Sequence, residues 1–166
     1  MIAAQAFQES RLDPTTVSPA GAVGLMQLLP STAADMGVTE LRDPERSLYA
    51  GIKYMDWLRR TQFDEPQLSA EAQLDFCLAA YNAGATRVRR WRAAAPGRGL
   101  DPDLWFGNVE LLALEDVGIE PVHYVGNINK YYILFAMSLD SIELSKRARE
   151  QAVEAEIDRT KEATAR

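Results

Sequence analysis

Glu9 falls where a helix would be expected to bury apolar surface. Ile2, Ala6 and Glu9 follow i, i+4, i+7 spacing, so the carboxylate continues a stripe that begins apolar. Pro14 pushes the residue before it out of the α region, which predicts a helix end near Asp13, close behind Glu9. Burial penalises the charge of a carboxylate in that position, and so does the negative end of the helix dipole. Both effects hold a proton on Glu9 to higher pH, which is the requirement for a general acid. A solvated helix glutamate is the alternative reading of the same stretch.

Further chemistry-bearing residues follow. In "SPAGAVGLMQ" (Ser18 to Gln27), Gly21 and Gly24 allow sharp turns and close approach of the chain to a ligand. Met26 adds a soft contact surface and Gln27 an amide with donors and an acceptor. A sugar needs this mixture, with apolar contact for its C–H faces and amides for its hydroxyls. "AAYNAG" puts Tyr81 and Asn82 at the end of an apolar helix, where bulky polar groups suit a cleft. A second carboxylate, Glu120, stands four positions before Tyr124. Each has a plainer reading. Met26, Tyr81 and Tyr124 also suit core packing, Ser18 an ordinary turn, Glu120 a surface position, and His123 an exposed or locally bonded one. Asp13, adjacent to Pro14, reads as a turn former rather than a nucleophile.

The elements that would position these groups are helical nearly throughout. Ser31 is expected to cap a short helix through Met36, ended by Gly37. Asp43-Pro44 opens a helix with the stripe Leu48, Ile52, Met55, Leu58, while Lys53, Asp56, Arg59 and Arg60 face water. Ser69 begins another, with Leu74, Cys77, Leu78 and Tyr81 inward and Gly84 at its end. A short basic helix over Thr86 to Ala95 and a loop from Ala95 to Asp103 come next. A helix over Trp105 to Asp116 precedes a break at Gly118 to Pro121, and an apolar helix covers about Tyr124 to Leu139. From Ile142 the chain is charged and poor in apolar residues, and is expected to be a solvated helix or tail. The organisation expected is a domain over 1–140 and a charged helix or tail over 141–166.

Composition narrows the classes. The 166 residues are 47% hydrophobic, enough for a sizeable core. A net charge of −6 argues against non-specific nucleic-acid binding. Cys77 is the sole cysteine, so no internal disulfide forms, and with His123 the sole histidine a zinc site of soft ligands is not expected. No apolar run approaches the roughly 20 residues that span a bilayer. No signal peptide is visible, and Met1 reads as a trimmed start, so that the chain is expected to be one domain of a longer protein.

The stretches "QES", "SPAGAVGLMQLLPSTA", "AYNAG" and "YVGNINKYY" resemble, in order and approximate spacing, the lytic transglycosylases of the soluble-lytic-transglycosylase (SLT) type, relatives of goose-type lysozyme. "DPERSLYAGIKYM" and "WFGNVE" are similar to the membrane-bound lytic transglycosylase F branch, and the resemblance covers roughly Ile2 to Leu139. It implies an all-α, lysozyme-like SLT domain with a glycan-binding cleft. The family's catalytic glutamate falls on Glu9. Its substrate-binding positions fall on Ser18, Met26, Gln27, Tyr81, Asn82, Glu120 and Tyr124. The chain departs from the family's pattern at Pro121, where a threonine is usual, and at Ser47, where many relatives have asparagine and a structural change is expected. The branch also usually carries a solute-binding-like module before this domain.

The reaction so implied is non-hydrolytic cleavage of the β-1,4 bond from N-acetylmuramic acid to N-acetylglucosamine in peptidoglycan. A single glutamate would act first as acid and then as base, leaving 1,6-anhydro ends. No metal or organic cofactor is required. Peptidoglycan strands are the partner implied, the cell envelope the compartment, and a monomer is expected. A hydrolytic muramidase on the same fold and an inactive peptidoglycan-binding module are the rival readings.

Overall fold

A computed structural model describes residues 1–164, with side chains described through Gln151. The chain divides into two units, Met1–Asn129 and Lys130–Arg166. The helices are α1 (Ile2–Ser10), α2 (Pro30–Asp35), α3 (Pro44–Gln62), α4 (Ala70–Ala83), α5 (Ala85–Ala94), α6 (Glu110–Val117) and α7 (Glu120–Thr164). The all-α expectation holds, and the only pairings of extended backbone among the described residues are isolated bridges, Val17 with Val23 and Val23 with Leu28.

The starts of α3 and α4 are set by caps. Asp43 accepts from the Arg46 N–H at 2.8 Å, and Ser69 from the Ala72 N–H at 3.1 Å, each satisfying an amide that the first turn leaves open. α2 corrects an expectation. It begins at Pro30 with Leu29 before it and no side-chain cap, because a proline at the first helical position already has the φ the helix needs. α1 stops at Ser10, earlier than Pro14 alone suggested, because Arg11 and Leu12 both turn left-handed (φ 57° and 65°) and the Arg11 N–H closes onto the Phe7 carbonyl. On α3 the buried face runs through Ser47, Ala50, Gly51, Met55 and Leu58, so Ile52 is exposed rather than inward. The helix expected over 105–116 is broken at Phe106 and Gly107, and α6 starts at Glu110.

The core of the first unit has an aromatic centre. Phe63 stacks on Phe76 at 6.0 Å, and Trp105 meets Phe76 edge-on at 6.3 Å and Trp91 at 6.5 Å. The buried Arg92 sits over Phe76 and is paired with Glu65 and Asp103, so its charge is compensated on both sides. Asn129 donates to Asp75 at 2.9 Å and ties the first part of α7 to α4.

The second unit is the remainder of α7. No glycine or proline interrupts the sequence after Gly126, and Glu143 with Arg147 and Lys146 with Glu150 stand at i, i+4 (3.8 and 4.0 Å). Its apolar side chains at Ile133, Met137, Leu139, Ile142 and Leu144 are exposed. Residues 165 and 166 of the expected tail lie outside the described residues. No described helix is long and apolar enough to cross a membrane.

The loop from Gly21 to Leu29 is seated on α3 by contacts with no spare room. A Cβ built on Gly24 would stand 2.0 Å from the Leu41 carbonyl oxygen, and its φ of +82° already disfavours any side chain. Gly51 faces Met26 in the same way, with a hypothetical Cβ 2.6 Å from its Cε. Gly24→Ala is therefore expected to destabilise the fold by at least about 3 kcal/mol, combining left-handed strain with overpacking against backbone. A thermal melt with a midpoint unchanged from the parent would contradict this seating.

Candidate active site

Glu9 sits on the third turn of α1, beside the fully buried Gln5 and Ala6. Burial is the largest influence on its carboxyl and pushes its pKa from 4.5 up to about 7. The negative charge of Glu120 pushes in the same direction, and a hydrogen bond donated by the Tyr124 hydroxyl to Oε1 opposes both. An inward carboxylate at this point of α1 is what the stripe Ile2, Ala6, Glu9 predicted.

The structure brings most of the other candidates round this carboxyl. Tyr81, half-buried at the end of α4, feels the Glu9 charge and donates its hydroxyl to the Met26 carbonyl at 2.8 Å. Asn82, next on α4, donates to Glu120 Oε1 at 3.4 Å, so the first residue of α7 lies on the same side of the molecule. Pro121 occupies the first turn of α7, a position that tolerates proline, and does not divert Glu120 from Asn82 and Glu9. Ser18 Oγ accepts from the Ala22 N–H at 3.0 Å and closes the turn at Gly21.

Three expectations change. Met26 is wholly buried, packed on Gly51 and in a cluster with Ala6 and Leu25. Its side chain is a packing element and cannot be a contact surface; its carbonyl is what Tyr81 uses. Tyr124 is also buried, and its hydroxyl is engaged by Glu9 and Gln5 rather than offered to a cleft. Gln27 spends its amide N–H groups on its own loop, donating to the Thr16 and Gly24 carbonyls at 3.0 and 2.8 Å, rather than offering them to a cleft.

Sequence reasoning passed over Gln5 and Ser10. Ser10 Oγ bonds the Leu25 carbonyl at 3.0 Å, locking the loop to α1. The signal for both was available, since polar residues at inward positions of an otherwise apolar stripe need partners. Ser47, expected to matter structurally, is fully buried and accepts from the Met26 N–H at 3.1 Å. Among the described residues no group of His, Cys, Asp and Glu is arranged to hold a metal ion.

The raised affinity of Glu9 for its proton has a cost in stability. The folded chain keeps that proton up to about pH 7, whereas the unfolded chain releases it near 4.5. Stability is therefore unaffected by Glu9 below pH 4.5, falls as pH rises from 4.5 to 7, and stays reduced above, by about 3 kcal/mol. Glu9→Gln removes the buried charge and keeps an oxygen for Tyr124. Its melting temperature is expected to exceed the parent's by several degrees at pH 8 and to match it at pH 4. An equal or lower value at pH 8 would count against the burial.

Comparison with known proteins identifies the family. The model of the Transglycosylase SLT domain family matches residues 1–102. A protein of Maricaulis maris named membrane-bound lytic murein transglycosylase F is 38% identical over 149 residues, covering 82% of this chain and 32% of the relative. Its namesake in Desulfosudis oleivorans is 39% identical over 145 residues, covering 80% and 32%. The chain thus spans about a third of the length of the curated relatives it matches. Among solved structures, the 70 kDa soluble lytic transglycosylase of Escherichia coli has a TM-score of 0.57 at 30% identity, over 76% of this chain and 20% of that one. An inactive glutamate-to-glutamine mutant of lytic transglycosylase Slt from Pseudomonas aeruginosa has a TM-score of 0.62 at 26% identity, over 84% and 21%. The family model, matched over more than half of the chain, and relatives 38% and 39% identical over four fifths of it place this chain in the transglycosylase SLT domain family.

Proposed function

We propose that the chain is the catalytic domain of a lytic murein transglycosylase, cleaving the bond from N-acetylmuramic acid to N-acetylglucosamine without water. The observation that carries this reading is Glu9, a carboxyl held half-protonated near neutral pH by burial. A group poised there can give a proton and take one back with little bias either way. Ordinary glycosidases need a second carboxylate across the bond. Asp13 is unsuited to that part: it is exposed, and its Oδ1 is tied to the Thr15 N–H and hydroxyl at 2.8 and 2.7 Å. Glu120 is exposed and hydrogen-bonded by Asn82. A nucleophile supplied by the substrate removes the need.

In the mechanism that follows, protonated Glu9 gives its proton to the glycosidic oxygen as the bond to the anomeric carbon breaks. The acetamido carbonyl of the muramic acid stabilises the developing cation. Glu9, now a carboxylate, takes the proton of the same sugar's 6-hydroxyl, whose oxygen closes onto the anomeric carbon. The glutamate ends protonated, as it began. The 6-hydroxyl is tethered, so its effective concentration far exceeds that of a free reactant once the ring distorts to bring it near. Ser18, Tyr81, Asn82, Glu120 and the amide oxygen of Gln27 are assigned to holding the glycan. The substrate places the protein in the cell envelope. The relatives are about three times as long, which is compatible with the further module, of the solute-binding kind, that the resemblance implies for the full protein.

Glu9→Gln is expected to lower turnover on purified peptidoglycan by at least about 10²-fold while strand binding persists. The parent's released muropeptides should end in 1,6-anhydro-N-acetylmuramic acid, lighter by one water than hydrolytic products and resistant to borohydride. Reducible ends in the majority would instead support a muramidase, and undiminished turnover in the variant would remove Glu9 from the chemistry. The domain is taken to end near residue 140. Truncation from Arg147 onward is accordingly expected to leave turnover and melting temperature close to the parent's, and a large fall in either would move that boundary.

A further inference from the structure

One side chain near Glu9 is neither used by the proposed chemistry nor explained by packing. Gln5 lies one turn before Glu9 on α1 and is fully buried. Its Nε2 donates to the Tyr124 hydroxyl at 3.2 Å, and its Oε1 is buried with no partner. A buried acceptor left unpaired is destabilising, so an apolar side chain would fill this slot better. The amide is there for its N–H groups.

What those groups do follows from the inventory of a phenol. Tyr124 has one hydroxyl proton and an oxygen that accepts. With a Gln5 N–H directed at that oxygen, the proton cannot turn toward Gln5 and is left to Glu9 Oε1. We propose that Gln5 is a positioning residue for the acid–base step: by donating to Tyr124 it aims the phenol proton at Glu9 Oε1, and so confines the transferable proton of Glu9 to Oε2. This rests on Glu9 being the acid. A proton free to occupy either oxygen would spend part of its time facing the protein rather than the glycosidic bond. The same chain of donors also steadies the carboxylate once the proton has left, because a hydrogen bond to the charged form favours it. The groups facing Glu9 are Tyr124 and Glu120 from α7 and Tyr81 from α4. Tyr124 supplies the hydrogen bond, Glu120 an opposing negative charge, and Tyr81 directs its own hydroxyl to the Met26 carbonyl.

Gln5→Met keeps the length of the side chain and removes the amide. In the full chain without substrate, the Glu9 carboxyl, followed by NMR of ¹³C-labelled glutamate, is expected to titrate higher than the parent's by about 0.5 pH or more. On peptidoglycan, kcat is expected to fall about 5- to 20-fold with KM within about twofold, the pattern of a group that acts at the transition state. Tyr124→Phe should shift the titration the same way, and adding Gln5→Met to it should change neither titration nor kcat further, since the two act in series. A folded Gln5→Met with an unmoved Glu9 titration would overturn the proposal. So would a shift that persists in full on the Tyr124→Phe background. If Gln5→Met does not fold, Gln5→Asn withdraws the amide by one methylene and is read by the same titration. Because that readout needs no substrate, failure of the product assay counts against the enzymatic assignment alone.

Discussion

A carboxyl group that keeps its proton near neutral pH must be shielded from water and still reach a substrate. Glu9 meets the first demand by lying on the inward side of α1, and much of the surrounding structure serves to keep it there. α1 is fastened to the loop that follows through Ser10 and the Leu25 carbonyl. α7 reaches Glu9 through Tyr124, and its first residue adds a like charge rather than a compensating one. A cation in place of Glu120 would push the proton off. The balance near 7 comes from one strong burial penalty, reinforced by the Glu120 charge and opposed by one hydrogen bond.

Tyrosine serves two different purposes in this arrangement. Tyr124 is submerged and directed at Glu9, whereas Tyr81 is half-buried and directed at backbone. Both phenols are held well above their ordinary pKa by burial, with the Glu9 charge adding to it. Each therefore remains a neutral hydroxyl while Glu9 changes state, and a donor that cannot itself ionise gives the carboxyl a constant surrounding. Tyr54 packs against Tyr81, with the ring centres 5.2 Å apart.

Glu9 was legible in the sequence because helical periodicity is local, and a carboxylate on an apolar stripe breaks the pattern visibly. The all-α architecture was legible for the same reason, and caps such as Asp43 and Ser69 announced their helices. Met26 was not, because a methionine beside a glutamine reads equally well as contact surface or as filler. Deciding between them requires Gly51, which lies on α3 and gives the Met26 side chain the space that a Cβ would take. That Gln5 is an inward polar residue was legible, but what it bonds was not, because its partner lies 119 residues away. The early end of α1 depended on left-handed backbone at Arg11 and Leu12, neither of which is a residue that favours that conformation. The length of α7 was obscured by the fading of apolar periodicity after Leu139, although its composition is that of a good helix former.

The two-residue segment Met26–Gln27 is held from several directions at once. Ser47 on α3 takes its first amide, Tyr81 on α4 its first carbonyl, and the Gln27 side chain folds back onto Thr16 and Gly24. A segment restrained this heavily cannot swing like a lid. Opening it would break bonds to separate helices together, with Met26 drawn out of the core. This wall of the site is therefore a fixed mould, and under the proposed reaction a glycan strand would have to adapt its own shape to it, the sugar ring rather than the wall taking up the distortion.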